Sequence, residues 1–293
     1  QQGANMVFKV DNLPSKGTVK SLAQVTKDKV ITETDDEIKE RLRERFQILE
    51  DMTKAAKAGK VRAMIVTGPP GVGKSYGVEH VLSRHDLLAD IANDEKLKKY
   101  EVVKGAMSAL GLYRKLYEYS DRKCVLVFDD CDSVLLDDLS LNILKAALDS
   151  SNKRMIHWNT DSHALDREGI PNKFEFKGGA IFITNIKFEH VKSKKLKDHL
   201  DALESRCHYL DLTIDTEREK ILRIRQIVED GMLDKYEFDN PEHAVAELLA
   251  FIDTNKKKLR ELSLRMVLKL ADLRQSFPDR WERVAEVSCM RRS

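Results

Sequence analysis

Cysteine is scarce and scattered: Cys124, Cys131, Cys207 and Cys289 form no CxxC pair and join no patterned histidines. That spacing argues against a zinc knuckle or a disulfide framework, and it suits a reducing, cytosolic compartment. Long apolar runs are missing too. No stretch approaches the ~20 residues needed to cross a bilayer and no signal-peptide pattern is visible, so no membrane partner is expected. Charge of one sign is also lacking, because 51 Lys and Arg face 49 Asp and Glu for a net charge of +2. A nucleic-acid surface would therefore have to be a local patch, not a global field. Internal repeats and low-complexity segments are absent.

What the 293 residues do contain is a helix-rich, 34% charged composition, enough for one large domain or two ordinary ones. Residues 1–33 read as an N-terminal arm with one short strand, and residues 1–5, ahead of Met6, look like an expression scar. Thr34 and Glu37 form a capping box for a helix carrying Ile38, Leu42, Phe46, Leu49 and Met52 at helical spacing, which Gly59 ends. Short apolar strands are expected at 63–68, 100–105, 124–130 and 179–185, with helices at 74–83, 111–119 and 139–150 between them. Strands alternating with helices imply a doubly wound, parallel-sheet α/β core over 34–214. From about residue 215 to 293 the pattern changes to a small all-α domain, with helices at 216–231, 241–253 and 258–274.

The segment GPPGVGKS, residues 68–75, fits the pattern G-x-x-x-x-G-K-[ST] between an expected strand and an expected helix. Its glycines let backbone N–H groups approach phosphate, and the helix N-terminus adds its positive dipole end. Gly68, Pro69, Pro70, Gly71, Val72, Gly73, Lys74, Ser75 and Tyr76 are the cofactor-binding stretch. Within it, Lys74 is suited to neutralise the β- and γ-phosphates and the Ser75 hydroxyl to ligate Mg²⁺. Asp129 and Asp130 close the apolar strand CVLVF, where one acid can hold the metal (Asp129) and the next can polarise a water (Asp130). Asn185 closes IFIT and can orient that water.

These motifs, in this order, resemble those of the AAA+ ATPases over residues 35–275. GPPGVGKS resembles the family's Walker A, VLVFDDCDSVL its Walker B, and IFITN its sensor 1. ALESRC resembles the arginine-finger segment, which makes Arg206 the candidate; LRELSLRM resembles the sensor 2 segment, offering Arg260 and, preferred, Arg265. The resemblance implies a P-loop NTPase core with a helical lid, ATP as the nucleotide, Mg²⁺, and a ring or spiral of copies of this chain, commonly a hexamer. Small phage-encoded AAA ATPases are the subgroup it most resembles, with some clamp-loader features. One departure is plain. The usual catalytic Glu is replaced by Asp130, one methylene shorter.

The partner beyond the ring is left open between DNA and protein. KGAMSALG places Met107 and Leu110 where AAA+ proteins often carry a polypeptide-gripping loop, or these are simply helix-starting residues. RMIHW and KFEFK read as two short strands joined by a polar connection, with Lys153, Arg154, Lys173 and Lys177 giving them a basic look. Such a hairpin would contact DNA or only extend the packing. Lys192, Lys194, Lys195 and Lys197, and the lysines of NKKKLR, would meet phosphates or form a solvated face. His157 and His163 read as core or surface histidines. Three functions follow: a ring ATPase in a DNA transaction such as replication or packaging, a protein remodeller, or a nucleotide-gated scaffold.

Overall fold

The computed structural model describes residues 32–85, 91, 99–159 and 161–292; the arm expected before residue 32 lies outside them. Helix α1 (Asp35–Lys57) starts as its sequence dictates, with Thr34 accepting from the Glu37 N–H and Glu37 accepting from the Thr34 N–H. Its buried stripe is Ile38, Leu42, Phe46, Leu49, Thr53 and Ala56.

The core then runs β1 (Ala63–Thr67), α2 (Lys74–His85), β2 (Tyr100–Lys104), α3 (Ala109–Glu118), β3 (Val125–Asp129) and α4 (Asp138–Ala147). An insert follows, made of β4 (Met155–His157), α5 (His163–Glu168) and β5 (Lys173–Glu175). The core resumes with β6 (Gly179–Thr184), α6 (Lys194–Glu204) and β7 (His208–Asp211). Five strands form one parallel sheet in the order β2-β3-β6-β1-β7.

The three inner strands are buried along their whole length, and their side chains divide by parity. Met64, Val66, Val125, Val127, Ile181 and Ile183 pack with α1 and α2, whereas Ile65, Leu126, Phe128, Ala180 and Phe182 pack with α3, α4 and α6. Both faces are thus covered, the doubly wound α/β core expected from the alternation of strands and helices. β7 was not foreseen. Its four residues are exposed or half-buried at the sheet edge, so HYLD carries no apolar run to announce it.

The insert differs from expectation in two respects. Its connection contains a helix, α5, ended by Gly169 in the left-handed region. Arg154 is also no surface cation: it is buried, donates to the Ala147 and Gly178 carbonyls at 3.0 and 3.1 Å, and lies over the Phe176 ring. β4 and β5 pair antiparallel, with Ile156 opposite Phe174 facing the core and Lys173 opposite His157 facing outward.

The C-terminal helices α7 (Glu217–Ile227), α8 (Pro241–Asn255), α9 (Leu264–Ser276) and α10 (Trp281–Cys289) pack round a hydrophobic cluster of their own. Here α10 is an addition to the three expected. It follows the breaker Pro278 and runs for only nine residues, yet the Trp281 ring packs tilted against Phe251 with centroids 5.0 Å apart, and Cys289 is buried. The helix expected from residue 258 begins at 264, where Ser263 caps it by accepting from the Met266 N–H.

Candidate nucleotide site

The register of the sheet fixes what meets at its carboxyl edge. Thr67 lies beside Thr184, Asp129 beside Ile183, and Lys104 beside Asp129. The loop leaving β1 turns through Gly71 (φ 72°) and Gly73 (φ 100°), both in the left-handed region that favours glycine. A Cβ on Gly71 would stand 2.5 Å from the Ser263 Cβ, and one on Gly73 would stand 2.8 Å from the end of Ile227. The loop therefore closes only because these positions lack side chains. Among the described residues, no protein acceptor takes the N–H groups of Gly71, Val72, Gly73 or Lys74. A loop of unused donors running into the N-terminus of α2 is the physical requirement for an anion site.

One cavity of 170 Å³ at this edge is lined by Pro70, Gly71, Gly73, Lys74, Ser75 and Tyr76 from the loop and α2. Asp129, Asp130, Ile183, Asn185, Leu264 and Arg265 complete it. A larger cleft of 830 Å³ on the other side of the prolines holds Gly68, Pro69 and Asn185 but none of Lys74, Ser75 and Asp129, so the smaller cavity is the one with the chemistry. Val72 is buried beneath the loop, whereas Tyr76 is exposed and stacks on His80.

The Lys74 ammonium is buried, donating to Asn185 Oδ1 at 2.6 Å and to the Gly68 carbonyl. Burial pushes its pKa down to about 8, opposed by the charges of Asp130 and Asp129. Asp129 is buried, and the Lys104 ammonium lies 3.7 Å from it while also approaching Glu79. Asp130, the first residue beyond β3, has φ 50°, a left-handed conformation that Asp tolerates better than most residues; its carboxylate lies 3.9 Å from Arg265. Asp132 accepts from the Thr184 hydroxyl at 2.9 Å, tying the loop after β3 to the end of β6.

The later start of α9 places the two arginines differently. Arg265 falls in its first turn and reaches the cavity, whereas Arg260 lies outside the helix with its N–H donated to the Cys289 carbonyl. Arg206 stands apart. It follows α6, donates to the Ala202 carbonyl at 2.6 Å, lies 3.8 Å from Asp149, and lines neither of these two hollows. Lys104 was not anticipated, since only the pairing of β2 with β3 brings it to Asp129.

Among the described residues no group of three or more His, Cys, Asp and Glu side chains forms a metal cage. The oxygens of Ser75 and Asp129 would nevertheless fit a hard cation that takes its remaining ligands from phosphate and water, the habit of Mg²⁺. No described helix is long and apolar enough to cross a membrane.

The chain is 34% identical over 258 residues to an uncharacterized 36.7 kDa protein of the nrdC-mobD intergenic region of Enterobacteria phage T4, covering 87% of this chain and 76% of that protein. This chain belongs to the same family as that phage protein. No family model matches it. Among solved structures, the RuvB Holliday junction branch migration motor of Thermotoga maritima aligns at 15% identity and a TM-score of 0.43, over 85% of this chain and 68% of that one. A chain of the Drosophila ORC bound to DNA aligns at 15% identity and a TM-score of 0.35, over 99% and 68%. Both scores lie below 0.5, so the description of the fold as a parallel α/β core with C-terminal helices rests on this chain's own sheet order and elements.

Because the folded Lys74 pKa lies below the ordinary 10.5, the unfolded chain holds a proton between about pH 8 and 10.5 that the folded chain has released. The Lys74 contribution to stability therefore rises with pH across that window. Urea denaturation of Lys74→Met protein should show that rise flattened. A curve parallel to that of the parent protein would mean that the ammonium is not desolvated.

Proposed function

We propose that this protein is a Mg²⁺-dependent ATP hydrolase of the AAA+ type that works as a ring of identical subunits in a DNA transaction. The observation that carries this reading is the convergence of Lys74, Ser75, Asp129, Asp130, Asn185 and Arg265 on one cavity at the carboxyl edge of the sheet. Lys74 and the loop N–H groups take the phosphates. Ser75 and Asp129 hold the cation, whose charge, when it is bound, offsets that developing on the transferred phosphoryl group. Asp130 and Asn185 orient the attacking water, Asn185 being fixed by its bond from Lys74, and Arg265 adds positive charge from the lid side. Arg206, remote from its own cavity, completes the site of the neighbouring subunit.

The DNA assignment is supported by exposed lysines with no acidic neighbour in ion-pair contact among the described residues: Lys153, Lys173 and Lys177 on the insert, and Lys192 and Lys194 before and at the start of α6. Lys195 is less available, paired to Asp138 at 2.6 Å. The polypeptide-gripping alternative is weakened, because Met107 and Leu110 are half-buried against the core and Ser108 between them caps α3. The scaffold alternative keeps one observation in its favour: Asp130 is short and faces Arg265, so it is poorly placed for fast turnover.

Lys74→Ala is expected to abolish binding of a fluorescent ATP analogue, whereas Asp130→Asn should bind it and lose turnover; normal hydrolysis by Asp130→Asn protein would refute that role. Arg206→Ala should also lose turnover while still binding nucleotide. Mixing the Arg206→Ala and Asp130→Asn proteins should restore activity, and failure of complementation would count against a shared site. Steady-state ATPase rates with single- and double-stranded DNA at two salt concentrations test the partner. Stimulation that falls with salt supports DNA, a good basal rate indifferent to DNA favours a protein partner, and tight binding without turnover favours the scaffold.

A further inference from the structure

A buried cation ordinarily sits against a carboxylate, because an unpaired charge is costly to remove from water. Arg223 of α7 departs from this. It is 8% exposed, and its guanidinium carbon lies 3.5 Å from the centre of the Phe46 ring of α1. Its polar partners are the Val72 carbonyl, which accepts from Nε at 3.3 Å, and Gln226 Oε1, which accepts from Nη1 at 3.4 Å. Among the described residues no carboxylate stands within ion-pair distance of it. Gln226 is itself fixed, donating to the Lys39 carbonyl of α1 at 2.6 Å. The remaining terminal nitrogen reaches to 3.4 Å from where a Cβ on Gly73 would stand. Burial pushes the Arg223 pKa down to about 10, which leaves it charged at neutral pH.

As packing alone this arrangement is poor. Both hydrogen bonds are long, and an unbranched apolar side chain would cover Phe46 without desolvating a charge. What the guanidinium provides that an apolar chain cannot is a hold on the Val72 carbonyl and, next to the phosphate loop, a positive charge offset only at a distance by Asp230 and Glu50.

We propose that Arg223 is a positioning residue for the phosphate loop: stacked on Phe46, it fixes the Val72 carbonyl and keeps beside Gly73 a positive charge that the phosphates of a bound nucleotide offset. This rests on the nucleotide-site reading above. It also makes α7, and not only Arg265 of α9, a contributor to phosphate binding from the C-terminal helices.

The test compares Arg223→Met and Arg223→Lys with the parent protein by two measurements: the melting temperature without nucleotide, and the Kd for a fluorescent ATP analogue with Mg²⁺. Arg223→Met should melt no lower than the parent, because a desolvated charge has been removed, yet bind about tenfold more weakly, equivalent to ~1.4 kcal/mol. Arg223→Lys should recover most of the affinity. Arg223→Met protein that melts lower but binds as tightly as the parent overturns the proposal and leaves Arg223 a packing residue. Should Arg223→Met fail to fold, Arg223→Gln carries the same comparison, keeping a donor without the charge, and unchanged affinity there overturns it equally. A parent protein that binds no nucleotide overturns both the site reading and this proposal. A parent that binds, with unchanged affinity in the variants, overturns this proposal alone.

Discussion

β1, β3 and β6 have both faces covered by helices, so a polar side chain within them would have to leave water without a partner. Their sequences comply, being almost wholly apolar until the last residue. Polar chemistry is thereby pushed to the strand tips, and the sheet order decides which tips are neighbours. With β6 between β1 and β3, the loop after β1, the acids at and just beyond the end of β3 and the asparagine after β6 arrive at one place from positions 68–75, 129–130 and 185. Reordering the strands would leave every motif intact in the sequence and dissolve the site.

The second constraint is the close approach of the C-terminal helices to the loop. Ser263 occupies the space that a side chain on Gly71 would need, and Ile227 does the same at Gly73. Leu264 and Arg265 then close the cavity as the opening turn of α9. The loop is therefore shaped from two sides, by the sheet that carries it and by helices more than 150 residues away in sequence, and its glycines answer to both.

Much of this was legible beforehand, for identifiable reasons. Inner strands declare themselves as apolar β-branched runs, and the capping box at Thr34 and Glu37 announces α1. The loop, the two acids and Asn185 follow from strand ends whose order could be counted. What stayed hidden depended on the third dimension. β7 sits at an edge and needs no apolar face, α10 is short and lies beyond a proline, and Arg154, a basic residue of the insert's sequence like Lys153, Lys173 and Lys177, is enclosed by the Phe176 ring and two carbonyls. Lys104 and Arg223 belong to the same class. Their neighbours Asp129, Val72 and Phe46 are distant in the chain, and no local pattern marks a residue whose partner is set by packing.

The N–H of Leu264 donates to the Gly71 carbonyl at 2.9 Å, a single backbone bond joining the first residue of α9 to the middle of the phosphate loop. The early amides of a helix lack partners within it, so this proton owes its shelter to the loop. Its exchange with solvent therefore times the parting of helix and loop, a clock for opening of the site that is already present in the unlabelled chain.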